Sequence, residues 1–204
     1  MKILAIGKNY VNDVKEVSAV KTGQQIIFSK PESSLVLDNN DVEYPSFTQD
    51  LRYEVELVLK IGKTGKNISE SEALDYVSEI AIAIDYTAKD VLDEYRAIKA
   101  PWDLAKGFDG AAPISKFQAF SNFPNAKDIN FDLKINGETK QVGNTSLMIY
   151  SFEEIIANLS KYYTLEPGDL IFTGTPATGA GQIFKGDQLQ ASLEGDLILD
   201  FKMV

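Results

Sequence analysis

Residues 52–61 alternate strictly: Tyr53, Val55, Leu57, Leu59 and Ile61 face one way, and Glu54, Glu56, Val58 and Lys60 face the other. A period of two with one apolar face predicts a half-buried strand. Residues 80–84 are continuously apolar, which predicts a strand covered on both sides and ending at Asp85. Residues 1–6 read as a short buried strand, and residues 25–29 as another, stopped by Pro31. Between them, residues 9–17 have the polar spacing of a brief helix or mobile loop and are expected to be exposed. Ser69 with Glu72, and Ser151 with Glu154, have capping-box spacing. The first predicts a helix to about Val77; the second opens a helix that turns Ile155, Ile156, Leu159 and Tyr162 toward the core. Thr87 is expected to cap a third helix, ending near Ala97. Asn136-Gly137 suits a type I′ turn between strands 131–135 and 138–142. Pro167-Gly168 leads into a strand over 169–173, and Lys185-Gly186-Asp187 and Glu194-Gly195-Asp196 are further turns. Strands outnumber helices without alternating with them, so the expected class is α+β, sheet-rich, as one domain over residues 1–204.

Charge and composition narrow the chemistry. A net charge of −10 repels phosphate backbones and anionic membranes, so nucleic acid is not an expected partner. No segment has the apolar length of a membrane span and the N-terminal apolar run is short for a signal peptide, so the cytoplasm is the expected compartment. The sequence contains no Cys and no His. Nucleophile systems built on Ser-His or Cys-His are excluded, and zinc, copper and haem lose their usual ligands. Carboxylates, Lys, Tyr, hydroxyls, backbone amides and hard cations remain.

Glu54 and Glu56 are two apart on a predicted strand, so both leave the same face, with backbones roughly 6 to 7 Å apart. Such a pair can converge on one ion, and the same pattern serves a solvated polar face. Asp85 closes a run that looks buried, where a lone carboxylate needs a cation or several donors. A strand-end residue accepting backbone hydrogen bonds satisfies the same requirement. If the three act together, oxygen-only ligation selects Mg²⁺, Mn²⁺ or Ca²⁺ over zinc, with Mg²⁺ the first expectation.

Several segments together resemble the fumarylacetoacetate hydrolase family in its short single-domain form. They are Gly7-Lys8-Asn9-Tyr10, Phe28-Ser29-Lys30-Pro31, Tyr53-Glu54-Val55-Glu56-Leu57, Asp85-Tyr86-Thr87-Ala88-Lys89-Asp90, Pro101-Trp102 through Asp109, Gly143-Asn144-Thr145-Ser146, Pro167-Gly168-Asp169 and Thr173-Gly174-Thr175-Pro176. The resemblance implies a sheet-rich fold, a homodimer, and Mg²⁺ or Mn²⁺ held by Glu54, Glu56 and Asp85. It also implies a small 2-oxo acid as substrate. Lys106 would stand beside the developing enolate. Thr175, Gly174 and Tyr10 would contact the substrate, the first two from a glycine-rich loop.

Hydrolases of that family carry a His and a Glu three residues apart on a lid segment, which here falls within residues 1–20. The matching positions are Asp13 and Glu16. A carboxylate pair at i and i+3 can share a proton if the site closes over it. The first expectation is a C–C hydrolase or lyase of an acylpyruvate- or oxaloacetate-type acid. The alternatives are an isomerase or tautomerase of an unsaturated 2-oxo-dicarboxylate, of the 2-hydroxyhepta-2,4-diene-1,7-dioate type, and a metal-binding relative without activity.

Overall fold

The antiparallel pairing of Val55–Ile61 with Val77–Ile84 organises the molecule. In the computed structural model, which describes residues 1–204, these strands form the centre of a six-stranded mixed sheet. Leu170–Phe172 lies on the other side of Val55–Ile61, followed by Ile3–Gly7 in parallel and then Ile26–Lys30; Gln118–Ala119 completes the far edge. A second sheet of four antiparallel strands runs Glu138–Asn144, Asn130–Ile135, Gln188–Leu193, Asp196–Lys202. Two small sheets, one joining Leu51–Tyr53 to Gly181–Gln182 and Thr87–Ala88, the other pairing Leu35–Val36 with Ala112–Pro113, fill the connections. The architecture is α+β and sheet-rich, as expected.

Both faces of the six-stranded sheet are covered. The helices are α1 (Val17–Val20), α2 (Lys89–Ala97), α3 (Asp103–Lys106) and α4 (Phe152–Tyr162). Leu4, Ile6, Leu57, Leu59, Ile80 and Ile82 enter the main core with α4 and the four-stranded sheet. Ile3, Ala5, Val58, Ala81, Ala83 and Phe172 form a smaller core on the opposite face. Residues 52–61 therefore do not form one half-buried strand. Their polar face is roofed, leaving Glu56 and Val58 at 2% and 0% exposure, and the chain breaks at Glu54 into Leu51–Tyr53 and Val55–Ile61.

Local signals succeeded where the backbone alone decides. Asn136 and Gly137 both have positive φ, 52° and 82°, and join the predicted hairpin strands. Glu194 and Gly195 do the same between Gln188–Leu193 and Asp196–Lys202. The Ser151/Glu154 capping box is closed in both directions. Other expectations are corrected. Ser69 donates its hydroxyl to the Glu72 carboxylate at 2.6 Å instead of capping a backbone, and the segment winds as a 3₁₀ helix, Glu70–Tyr76. Thr87 is in a strand, and α2 (Lys89–Ala97) starts with Lys89 N–H donating to Asp50 O and Val91 N–H to Asp90 Oδ1. Tyr162 is 68% exposed at the end of α4. Ser160 is buried instead, its Oγ and O accepting from the N–H groups of Ile68 and Asn67.

Candidate metal centre and substrate cavity

The register of the central strands builds the carboxylate cluster. Val55 pairs with Ile84 and Glu56 with Ala83, which sets Asp85 opposite Glu54; Asp85 N–H donates to Glu54 O at 2.8 Å. Glu54, Glu56 and Asp85 each offer one carboxylate oxygen, all within 4.8 Å of one another. Asp85 and Glu56 are buried and the Glu54 side chain is 23% exposed, so the cluster is not a solvated face.

Two lysines from remote segments enclose it. Lys106, in α3 (Asp103–Lys106), donates to Glu54 Oε2 at 2.6 Å and Asp85 Oδ2 at 2.7 Å. Lys30, at the end of Ile26–Lys30, holds its ammonium 2.7 Å from Asp85 Oδ1 while directing hydrogen bonds to Lys106 O and Ala111 O. That direction leaves Asp85 Oδ1 with an ion pair but without an aligned hydrogen bond. Glu56 Oε2 accepts from Gly174 N–H at 2.8 Å.

Burial raises Glu56 well above the ordinary carboxylate range, and the charges of Asp85 and Glu54 add to it. Glu54 is raised too, by burial against the pull of Lys106. Burial works against Asp85 as well, but Lys106 and Lys30 outweigh it and hold Asp85 below the ordinary value. For Lys106, burial is outweighed by Asp85 and Glu54, so the ammonium is held charged. Burial lowers Lys30, against the charge of Asp85; counted with every group ionised, three carboxylates against two ammoniums leave one negative charge. Oxygen-only donors, close convergence and the undirected Asp85 Oδ1 fit a hard divalent cation.

The cluster opens on a cavity of about 620 Å³ that Lys106, Tyr10, Glu16 and Thr175 also line. The Tyr10 hydroxyl is buried without a partner, and burial and the Glu56 charge raise its pKa, so it stays protonated and can donate. Gly174 is placed behind the carboxylates: its N–H is engaged by Glu56, its φ is +98°, and a Cβ there would stand 2.6 Å from Asn9 Cβ. Thr175 Oγ1 accepts from Gln141 Nε2 at 2.9 Å. Glu16 ends a 3₁₀ turn, Val14–Glu16, at the cavity. Asp13 does not line it; its Oδ1 accepts from Lys15 N–H at 2.9 Å, capping that turn. Asn9, expected in an exposed segment, is fully buried, with Nδ2 donating to Tyr150 O and Thr173 O and Oδ1 accepting from Tyr150 N–H.

Sequence reasoning missed three residues here. Lys30 stood inside a quoted motif, and its position before Pro31 at a strand end gave no sign of charge pairing. Asn9 was hidden by polar neighbours. Gln141 sits in a polar hairpin arm, yet its Oε1 accepts from Val55 N–H, between the two glutamates, and its Nε2 also reaches Gly179 O.

Fold and cavity together define a sheet-rich protein built around a convergent cluster of carboxylate oxygens. The chain belongs to the fumarylacetoacetate hydrolase family: residues 2–201 match the family model described as fumarylacetoacetate (FAA) hydrolase C-terminal. It is 38% identical over 201 residues to the oxaloacetate tautomerase FAHD1, mitochondrial, of Bos taurus, covering 98% of this chain and 90% of that one. The Homo sapiens protein of the same name is 36% identical over the same span. The fumarylpyruvate hydrolase of Pseudomonas aeruginosa, solved in complex with Mn²⁺ and pyruvate, superposes with a TM-score of 0.91 at 30% identity, over 100% of this chain and 89% of that one. The 2-hydroxyhepta-2,4-diene-1,7-dioate isomerase of Mycobacterium marinum superposes at 0.85 with 32% identity, over 100% and 74%. The family thus includes hydrolases, isomerases and tautomerases acting on small molecules. No helix of the chain is long and apolar enough to cross a membrane.

Proposed function

We propose that this protein is a divalent-metal-dependent tautomerase that interconverts the enol and keto forms of a small 2-oxo acid of the oxaloacetate type. The observation that carries this reading is that only one member of the Asp13/Glu16 pair lines the cavity. Asp13 is spent as a helix cap. Hydrolysis of a C–C bond needs a base for water and a donor for the leaving carbon, whereas tautomerisation needs one group that gives and takes a proton. The relatives at 36–38% identity named oxaloacetate tautomerase support the same choice.

Glu54, Glu56 and Asp85 would hold Mg²⁺ or Mn²⁺, which supplies Lewis acidity toward the oxygens of the 2-oxo carboxylate. Lys106 stays protonated and places a fixed positive charge beside the C2 oxygen, where negative charge develops. Tyr10 donates its free hydroxyl proton to a substrate oxygen. Thr175, oriented by Gln141, positions the carboxylate. Glu16 carries the proton: it takes the enol hydroxyl proton and delivers it to C3 as the double bond shifts to C2=O, so the residue ends as it began.

Enol oxaloacetate decay, followed by ultraviolet absorbance, tests this. We expect acceleration with Mg²⁺ or Mn²⁺, loss with chelator, and a decrease of about 10²-fold or more in Glu16→Gln. Acetylpyruvate cleavage faster than enol decay in the wild type would establish the hydrolase instead. Enol decay unchanged by chelator would defeat the metal assignment.

A further inference from the structure

Glu16 is carried on a strap of chain that leaves the body of the molecule at Asn9 and returns at Gly23. Both ends of the strap are fastened to one short segment. At the near end Ile149 N–H donates to Asn9 O at 2.8 Å, and Val11 N–H to Leu147 O at 3.0 Å. The buried Asn9 amide closes on the Tyr150 peptide, accepting from its N–H at 2.9 Å and donating to its O at 3.0 Å. At the far end the Tyr150 hydroxyl accepts from Gly23 N–H at 2.9 Å and donates to Gln24 O at 3.4 Å. One residue therefore grips both ends, one with its peptide and the other with its hydroxyl.

Between those ends the strap has little hold on the molecule. The hydrogen bonds of residues 12–20 stay within residues 13–21: Lys15 N–H donates to Asp13 Oδ1, Glu16 N–H to Asp13 O, Val17 N–H to Val14 O and Lys21 N–H to Val17 O. None of residues 12–20 is buried, and Val17 is the one that packs against the core. The position of Glu16 is thus set from the ends. Gly23 is the loose joint at the far end, with a φ of +82° and nothing within 4 Å of where a Cβ would stand. Lys21 pairs with Glu154 Oε1 at 2.5 Å, but both side chains are partly open to water, where such pairs hold weakly. Tyr150 is buried, so its hydroxyl is the firmer fastening.

We propose that Tyr150 is a positioning residue for Glu16: its hydroxyl locks the Gly23 joint and holds the strap where the Glu16 carboxylate reaches the reacting atoms. This rests on the proton-carrying role proposed for Glu16. Proton transfer requires hydrogen-bond reach, and a displacement of about 1 Å can cost on the order of 10²-fold in rate. Loss of the anchor should therefore appear in kcat, while the cavity wall that binds substrate is left in place.

The test is Tyr150→Phe, which keeps the ring in the cavity wall and removes only the hydroxyl. For enol oxaloacetate decay with the Mn²⁺-loaded protein, we expect kcat to fall about tenfold, with KM changed by less than about twofold. In a Glu16→Gln background the same substitution should cost nothing further, because the residue it positions is gone. Hydrogen exchange read by mass spectrometry should quicken about tenfold across residues 12–25, with α4 and Tm unchanged. A raised KM at constant kcat, or a loss that persists in full beside Glu16→Gln, would overturn the proposal and place the hydroxyl on the substrate. Faster exchange in α4 as well, with a lowered Tm, would overturn it by making Tyr150 a general support of the core. Faster strap exchange at unchanged kcat would also overturn it, since Glu16 would then not depend on the strap's ends. If the wild type does not accelerate enol decay, the proposed function has failed. Hydrogen exchange of wild type and Tyr150→Phe then decides by itself whether the hydroxyl holds the strap, and equal exchange in the two would overturn that.

Discussion

At the scale of single residues, Gln141 shows how one buried amide couples two halves of the site. Its Oε1 accepts from the N–H of Val55, the residue between Glu54 and Glu56, and its Nε2 fixes Thr175 Oγ1 and Gly179 O. Gln141→Leu keeps the volume and removes all three bonds, leaving the buried Val55 N–H without a partner. Stability is expected to fall by about 1 to 3 kcal/mol, read by urea unfolding. KM for the 2-oxo acid is expected to rise more than kcat falls, because Thr175 loses its orientation while Lys106 and Glu16 keep theirs. An unchanged KM would show that Thr175 does not position substrate. None of this was legible in the sequence, since a Gln flanked by Lys140 and Val142 in a hairpin arm looks like any solvated residue. Glu54, Glu56 and Asp85, by contrast, were legible as candidates because strand periodicity and an apolar run ending in a carboxylate are local facts, but their grouping around one point came from the family resemblance and is seen here in their convergence.

At the scale of elements, local chemistry and remote covering part company. The Asn136-Gly137 turn and the Ser151/Glu154 box are decided within a few residues, and the chain follows them. Residues 52–61 were expected to be half-buried, and the cover on their polar face was not legible because Lys30 and Lys106 with their elements come from far away in sequence. Thr87 failed as a cap because Thr87–Ala88 is held in a strand against Leu51–Tyr53. The work of securing α2 passes to Asp90, whose carboxylate accepts from Thr48 Oγ1, from Gln49 N–H at 2.8 Å and from its neighbour Val91 N–H at 2.9 Å. Partial burial opposes its ionisation, but those hydrogen bonds outweigh burial and hold Asp90 below the ordinary Asp value. A depressed folded pKa means that the contribution is present above the unfolded value, about 3.9, and is lost as pH falls through the folded one. Because Asp90 is only half-buried, solvent screening holds the contribution to about 1 kcal/mol or less. Asp90→Asn is therefore expected to be less stable than wild type at pH 7, with the gap closing below about pH 4 in urea titrations. A gap independent of pH would assign the effect to hydrogen-bond geometry and not to charge.

At the scale of the whole molecule, the carboxylate cluster sets stability against function. Two ammoniums do not neutralise three convergent carboxylates, two of them buried, and burial with the neighbouring carboxylates raises the pKa of Glu56. A cation that binds only the folded state stabilises it by mass action, about 2.7 kcal/mol at a hundredfold excess over Kd. In a chain of 204 residues that corresponds to a rise in Tm of roughly 5 to 10 °C. Glu56→Gln keeps an oxygen to accept from Gly174 N–H and removes the least favourable charge. Without metal, that variant is expected to melt at or above the metal-free wild type. With Mg²⁺ or Mn²⁺, it is expected to show no further rise, so that the order of the two proteins reverses when metal is added. Scanning calorimetry of both, with and without metal, reads this directly. A wild-type Tm indifferent to both ions would mean that the cluster is satisfied by Lys106 and Lys30 alone. A Glu56→Gln protein that still gains stability from metal would move the ion onto Glu54 and Asp85 and leave Glu56 as their neighbour.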